Sequence, residues 1–172
     1  RSVREFGLRS PGKILDKTRE LVIEQFQKNE TKVSDGMDIA LCSLSRKTQD
    51  NGNMTIEYSG ANNPLWIVRN SELIETKANK QPVGRYIHSN PFTTHEIAIE
   101  KGDMIYTFSD GYPDQFGGDK GKKLKSSNFK KLLIEIANKS SEDQKEHLTT
   151  FLQTWTGNIE QIDDICIIGV RA

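Results

Sequence analysis

Hydrophobic and polar residues alternate through the middle of the chain, whereas near both ends apolar residues recur at helical spacing. In the segment MTIEYSG (54–60) apolar and polar residues alternate with a period of two, which predicts a strand. Between residues 11 and 28 the apolar residues recur every three or four positions, which predicts an amphipathic helix with Ser10 as its N-cap. The same spacing predicts a helix over 127–140 and another from Ser141, at a capping-box sequence, to a stop at Gly157.

About seven segments have the pattern of strands. Short turns join most of them, which favours antiparallel pairing, with 65–70 returning as the partner of 54–60. Helices bracket this run at both ends, so the predicted fold class is α+β rather than a wound βαβ sheet. The predicted strands are 38–44, 54–60, 65–70, 72–77, 95–100, 103–109 and 164–171.

Composition and charge narrow the classes of partner. The 172 residues are enough for one domain, and 24 basic side chains balance 24 acidic ones. A neutral chain lacks the electrostatic footprint of nucleic-acid or anionic-membrane binding, so we expect neither partner for this domain. No apolar run approaches the length of a membrane span, and we expect a cytoplasmic domain. Cys42 and Cys166 each lie in an apolar run and are predicted to be buried free thiols.

Several common catalytic patterns do not fit. The stretch 117–123 (GGDKGKK) is rich in glycine and lysine but lacks phosphate-loop spacing, so we interpret it as a solvated loop. Its lysines, with Lys125, are placed to meet an acidic partner. The sequence has no CxxC pair and no nucleophile-elbow motif, and its three histidines lack ligand spacing.

Carboxylates at strand ends are the strongest candidates for chemistry. Asp110 follows the apolar run 104–108 and precedes Gly111, while Asp163 and Asp164 precede the apolar run 165–170. If these two strands pair antiparallel, Asp110 and Asp163 converge at one rim of the sheet. Neighbouring carboxylates repel unless a hard cation such as Mg²⁺ or Mn²⁺ lies between them. The alternative stays open that these residues only form turns, since Asp-Gly is a common turn sequence.

Five motifs follow one another across nearly the whole chain. They are DGMDIALC (35–42), YSGANNPLWIV (58–68), QPVG (81–84), KGDMIYTFSDGYPDQFGG (101–118) and QIDDICIIGVR (161–171). In this order they resemble the type-2C metal-dependent protein Ser/Thr phosphatases, in particular the bacterial branch typified by the sporulation stage II protein E. The resemblance implies an α/β/β/α sandwich, with two antiparallel sheets face to face and helices outside.

The resemblance assigns roles to individual residues. Ser-Asp-Gly at 109–111 matches the family's motif whose Asp binds metal, so Asp110 is an expected ligand and Gly111 belongs to the same turn. Asp163 matches a second metal Asp, with Asp164 in the neighbouring position, and Asp114 matches an acidic position with a secondary role. No further catalytic residue is expected, because two Mn²⁺ or Mg²⁺ ions activate the attacking water in this family.

The resemblance also implies a substrate, and it implies which part of a phosphatase domain this chain represents. The expected substrate is a phosphoserine or phosphothreonine regulatory protein of the anti-sigma-factor-antagonist type. The family's first acidic motif lies upstream of the 11–28 helix and has no counterpart here, so residues 1–172 resemble the C-terminal two-thirds of a phosphatase domain. We therefore expect this chain to turn over poorly and to self-associate through exposed sheet edges. The longer parent is expected to be a bacterial signalling enzyme, with an upstream module that can anchor it to a membrane.

Two other functions remain open at this stage. One is a catalytically inactive fragment or binding module of a phosphatase-like signalling protein. The other is a structural α+β domain whose acidic strand ends are only turns.

Overall fold

The computed structural model of the chain describes residues 1–28, 36–45 and 54–172. Asp35, the first residue of the DGMDIALC motif, lies outside these ranges. Within them the helices are α1 (Pro11–Lys28), α2 (Gly111–Asp114), α3 (Ser126–Ile136) and α4 (Ser141–Thr156). The strands are β1 (Gly36–Met37), β2 (Ile39–Ser45), β3 (Met54–Ala61), β4 (Leu65–Arg69), β5 (Glu72–Thr76), β6 (Val83–Gly84), β7 (His95–Ile99), β8 (Met104–Phe108), β9 (Phe116–Gly117), β10 (Lys122–Lys123) and β11 (Ile167–Arg171).

Each of the long predicted segments is found close to its predicted position, and the strands pair antiparallel. Four of the strands, β1, β6, β9 and β10, are only two residues long, which is why the described part of the chain has more strands than the seven predicted. The predicted α+β class is confirmed, since helices and antiparallel sheets are mixed along the chain.

The chain divides into two compact units. The first unit comprises 1–65 and 76–101, and the second comprises 66–75 and 102–172. In the first unit β2, β3 and β7 form an antiparallel sheet in that order, and β1 pairs with β6. In the second unit the sheet order is β11-β8-β4-β5, with β9 and β10 forming a separate hairpin.

Helix α1 covers the first unit with its apolar face. Leu15 packs in a buried cluster with Ala61, Val83 and Phe92. Ser10 is the N-cap residue as predicted, because the helix begins at Pro11 and the Ser10 carbonyl accepts the Ile14 amide at 3.0 Å. The side-chain acceptor of the first turn is Thr94, whose Oγ1 accepts the Gly12 amide at 2.9 Å and lies 2.8 Å from Ser10 Oγ. A side chain 82 positions from Gly12 in sequence thus caps the first turn.

The predicted pairing of 54–60 with 65–70 is wrong. Strand β3 pairs with β2 and β7, whereas β4 pairs with β8 and belongs to the other sheet. The turn between them diverts the chain: Asn62 has a φ of 58°, and the Tyr58 hydroxyl donates to the Asn63 carbonyl at 2.6 Å. The backbone amide of Asn79 also donates to the Gly60 carbonyl, so a third segment takes the place of a hairpin partner.

Aromatic packing in the second unit fixes the strand that leads to the acidic residues. Trp66 and Phe108 lie with their ring centroids 4.3 Å apart, and Phe108 meets Phe129 of α3 edge-on at 5.2 Å. Tyr106, also buried, donates its hydroxyl to Gln144 Oε1 at 2.7 Å, which joins β8 to α4. Strand β8 therefore packs in the core along its whole length. This packing holds the residues that follow it, from 109 onward, in a fixed position.

Two smaller predictions also need correction. The N-cap of α4 is Ser140 rather than Ser141, and its Oγ accepts the Asp143 amide at 3.1 Å. Cys42 and Cys166 are free thiols as predicted, but both are exposed rather than buried. Cys42 lies on β2 and Cys166 lies directly before β11, and both strands are at the edge of their sheets. A strand at an edge has a neighbouring strand on one side only, which leaves its side chains less covered. No helix in the described ranges is long and apolar enough to span a membrane.

Candidate functional site

The antiparallel pairing of β8 with β11 brings the acidic segments to the same end of the sheet. Ile167 lies opposite Phe108, and the register continues to Arg171 opposite Met104. Strand β8 ends where β11 begins, so the residues after Phe108 face those before Ile167. The antiparallel pairing on which the expected convergence of Asp110 and Asp163 depended is therefore present.

Ser109 joins the two segments through three hydrogen bonds. Its backbone amide donates to the Cys166 carbonyl at 2.9 Å, continuing the ladder by one residue. Its hydroxyl donates to the Asp164 carbonyl at 2.7 Å and accepts the Cys166 amide at 2.9 Å. A single side chain thus satisfies two backbone groups of the acidic segment and fixes that segment beside Asp110.

Gly111 allows this close approach. A Cβ atom at this position would lie 2.5 Å from the carbonyl oxygen of Asp164 and 3.1 Å from a side-chain carbon of Ile165. Real Cβ atoms do not come this close to a carbonyl oxygen, so a residue with a side chain would push the two segments apart. The Asp-Gly pair is therefore a packing requirement here as well as a turn.

The carboxylates themselves are differently placed. Asp110 is exposed at the N-terminal boundary of α2, and its carbonyl accepts the Asp114 amide at 2.9 Å. Asp163 and Asp164 are also exposed, and Asp163 Oδ1 accepts the Asp164 amide at 2.7 Å. Gln161 Nε2 donates to the Asp163 carbonyl at 2.7 Å. The acidic segment is thus held by bonds along its own chain in addition to those from β8.

Asp114 is engaged elsewhere. Its Oδ2 accepts a hydrogen bond from Lys123 Nζ at 2.7 Å, and both side chains are a little over two-fifths exposed. This ion pair links α2 to β10 and neutralises the Asp114 charge. The secondary metal role implied for Asp114 by the resemblance stays a prediction.

The donor set around the rim is incomplete for a hard divalent cation. Across residues 1–28, 36–45 and 54–172, no group of three or more His, Cys, Asp or Glu side chains is arranged to hold a metal ion. Mg²⁺ and Mn²⁺ favour octahedral oxygen coordination, and they are held by carboxylates together with water or substrate oxygens. Asp110 and Asp163 therefore fit a partial ligand set, and the described residues do not form a whole site.

Sequence reasoning missed the Ser109 hydroxyl and the position of Tyr112. The Ser109 signal was available, since a serine directly before an Asp at a strand end is placed to bond a neighbouring segment. Tyr112 of α2 is buried and donates its hydroxyl to the Leu148 carbonyl of α4 at 2.9 Å. Burial raises the pKa of Tyr112, so this group stays protonated and serves as an anchor for α2.

Comparison with known proteins decides the family. The family model described as Stage II sporulation protein E (SpoIIE) matches residues 1–172, the whole chain. The chain belongs to this family. The resemblance seen in the five sequence motifs is thereby confirmed.

Solved structures share the fold. The SiaA-PP2C domain of Pseudomonas aeruginosa is similar with a TM-score of 0.87 and 24% identity, over 99% of this chain and 64% of that one. The phosphatase domain of the cell fate determinant SpoIIE from Bacillus subtilis, from manganese-presoaked crystals, is similar with a TM-score of 0.56 and 15% identity, over 92% of this chain and 71% of that one. The RsbU and RsbW domains of Rv1364c from Mycobacterium tuberculosis are similar with a TM-score of 0.60 and 17% identity, over 92% and 46% respectively.

What this chain shares with these solved structures is the fold. At such identities the likeness establishes the fold, which is that of PP2C phosphatase domains. This SpoIIE-family chain spans 64% of the length of the SiaA domain that it matches. No curated protein sequence shows a significant match to it.

Proposed function

We propose that the protein to which this chain belongs is a metal-dependent protein serine/threonine phosphatase of bacterial signalling. The observation that carries the proposal is the rim where Ser109 fixes the Asp163–Asp164 segment beside Asp110, in a chain of the SpoIIE family with a PP2C-like fold. Bound Mn²⁺ or Mg²⁺ would supply the activated water, so no nucleophilic side chain is required. In this proposal Asp110 and Asp163 contribute ligands, and the rigid end of β8 sets their position.

The proposal includes a division of the site between this chain and an upstream segment. The described residues provide only part of a ligand set, and the chain spans 64% of the SiaA domain. We infer that the first acidic motif of the family belongs to the parent protein before residue 1. The 172 residues alone then bind divalent cations weakly and turn over poorly, while the parent completes the site.

The substrate class follows from the family rather than from this chain. We propose a phosphoserine or phosphothreonine regulatory protein of the anti-sigma-factor-antagonist type. The Mycobacterium structure, which contains an RsbU domain and an RsbW domain, supports a regulatory partner of this kind. We also propose a cytoplasmic location, because Cys42 and Cys166 are free thiols, as is usual for proteins of a reducing compartment.

Hydrolysis of a phosphoserine peptide with Mn²⁺ tests the proposal. We expect turnover by the parent protein, loss of that turnover in its Asp163→Asn variant, and only poor turnover by the isolated 172 residues. Glu146→Gln is the matched control, because Glu146 is exposed on α4 and lies outside the rim and outside residues 116–125. Clear turnover by the isolated chain would overturn the divided site. If the parent is inactive with Mn²⁺ and also with Mg²⁺, the alternative function, a catalytically inactive binding module, would be favoured.

A further inference from the structure

The segment that follows α2 forms a hairpin with an unusual concentration of positive charge. We call residues 116–125 the basic hairpin: β9 and β10 joined by a turn, followed by the two residues that lead into α3. It carries four lysines, Lys120, Lys122, Lys123 and Lys125, against a single acidic residue, Asp119. All four lysines are exposed, in a chain whose net charge is zero.

Three of these lysines keep their charge unpaired. Lys123 forms the ion pair with Asp114 and lies 5.9 Å above the Phe116 ring. Among the residues that the structure describes, Lys120, Lys122 and Lys125 make no ion pair. The hairpin therefore presents three lysines without an ion pair against one carboxylate, that of Asp119, and keeps an excess of positive charge. Exposed lysines of this kind attract anionic groups over about 10 Å at moderate salt.

The basic hairpin is fixed close to the acidic rim. The Lys125 amide donates to the Pro113 carbonyl at 2.7 Å, and the Leu124 amide donates to the Gln115 carbonyl at 3.0 Å. Pro113 is three residues after Asp110, so the base of the hairpin is bonded to the short helix that begins at the rim.

The far side of the hairpin is anchored as well. The Gly118 amide donates to the Trp155 carbonyl at 2.8 Å, and Trp155 Nε1 donates to the Gln115 carbonyl at 3.0 Å. Gly117 packs so closely on the Trp155 backbone that no Cβ atom fits there. A hairpin held at both its base and its turn presents its charges in a fixed place, and this preorganisation reduces the entropy lost on binding.

We propose that the basic hairpin binds acidic residues flanking the phosphorylated serine or threonine of the substrate. This proposal rests on the proposed function, because it takes the rim beside Asp110 as the place where the phosphate is held. The base of the hairpin is bonded to Pro113, three residues after Asp110. Because an extended peptide advances about 3.3 Å per residue, we place the acidic positions about three to six residues from the phosphoserine. The substrate class is thus narrowed to phosphoproteins with an acidic flank.

Binding of labelled peptides to the 172-residue chain, measured by fluorescence anisotropy, tests the proposal without requiring turnover. One phosphoserine peptide carries Asp and Glu at the flanking positions, and its partner carries Asn and Gln there. We expect the acidic peptide to bind more tightly, and the difference to shrink as salt rises from about 0.05 M to about 0.3 M.

A matched pair of triple variants locates the surface. Lys120→Gln, Lys122→Gln and Lys125→Gln together should weaken binding of the acidic peptide about tenfold, since each exposed ion pair changes affinity by about two- to fivefold. The control, Lys131→Gln with Lys139→Gln and Lys145→Gln, removes the same charge from exposed positions on and between α3 and α4 and should change binding little. Circular dichroism of both variants checks folding, and the single Lys122→Gln variant serves if the triple unfolds.

Three results would each overturn the proposal for the basic hairpin. The first is an equal loss of binding in both triple variants, and the second is equal binding of the two peptides. The third is tighter binding to single-stranded DNA or to phosphatidylserine vesicles than to the acidic peptide. If the parent fails to hydrolyse phosphoserine while lysine-dependent binding persists, only the phosphatase assignment falls. If the parent is active and the acidic flank has no effect, only the basic hairpin proposal falls.

Discussion

At the scale of single residues, the site depends on a hydroxyl that bridges two strands and on a missing side chain. Ser109 bonds two backbone groups of the acidic segment, and Gly111 leaves room for the Asp164 carbonyl. The sequence indicated Asp110 and Asp163 through their place next to apolar runs. It did not indicate the Ser109 bonds, because these depend on the register of two strands that lie far apart in the chain.

Removing the Ser109 hydroxyl should loosen the acidic segment. Ser109→Ala leaves the Cys166 amide and the Asp164 carbonyl without their side-chain partner, at a cost of about 1 kcal/mol in unfolding free energy. Hydrogen exchange at the Cys166 amide should become faster, whereas Ser109→Thr, which keeps the hydroxyl, should preserve protection. Unchanged exchange in Ser109→Ala would show that the hydroxyl does not hold the segment.

A methyl group at position 111 should be more disruptive. Gly111→Ala places a Cβ atom 2.5 Å from the Asp164 carbonyl oxygen, a backbone atom that cannot move alone, and should lower stability by about 1–3 kcal/mol. Gly169→Ala is the comparison, because the nearest atom there is Cε of Met104, at the flexible end of a side chain. Thermal unfolding should show the larger drop for Gly111→Ala, and an equal or larger drop for Gly169→Ala would contradict this reading of the rim.

At the scale of helices and strands, periodicity predicted which segments form and long-range contacts decided how they pair. The strand 54–60 was placed correctly, but its supposed partner 65–70 entered the other sheet. A period of two identifies a strand without saying which neighbour it bonds, and Asn62 with its positive φ ends the run after Ala61. Caps show the same limit: Ser10 is the N-cap residue of α1 as predicted, but Thr94 supplies the side-chain acceptor, because sequence spacing cannot reveal a distant partner.

The start of α4 gives a test at this scale. Ser140 accepts the Asp143 amide, so Ser140→Ala should lower unfolding free energy by about 1 kcal/mol. Ser141→Ala, one residue inside the helix, should change it by less than about 0.5 kcal/mol. Urea unfolding of both variants measures the difference, and a larger effect at Ser141 would restore the capping box predicted from the sequence.

At the scale of the whole molecule, the fold is that of a PP2C domain over a shorter length. The order of motifs was enough to recognise the family, and the antiparallel sheets and the flanking helix segments followed from periodicity. The sequence also predicted exposed sheet edges, and β11 is an edge strand with Ile168 and Val170 exposed. The exposure of Cys42 and Cys166 was missed, because an apolar run does not show whether its strand is central or at an edge.

Self-association follows from that edge. A strand whose outer edge has no partner strand in its sheet and which exposes apolar side chains offers a template for a second copy, so the isolated chain should sediment with a mass that rises with concentration. Val170→Lys should reduce the rise, since a charge on an edge strand opposes pairing. Ile87→Lys is the control, because Ile87 is 93% exposed in a loop outside the sheets. A constant monomeric mass for the unmutated chain would contradict self-association through the edge of β11.

The most direct test of the central claim is the Mn²⁺-dependent rate of phosphoserine-peptide hydrolysis by the parent protein with Asp110 replaced by Asn. This change preserves the size of the side chain and the carbonyl that accepts the Asp114 amide, while removing the charge at the rim. If Asp110 is a metal ligand of a SpoIIE-family phosphatase, hydrolysis is abolished although thermal stability stays the same. A variant that hydrolyses the peptide at the rate of the unmutated parent would contradict the assignment of the rim as the active site.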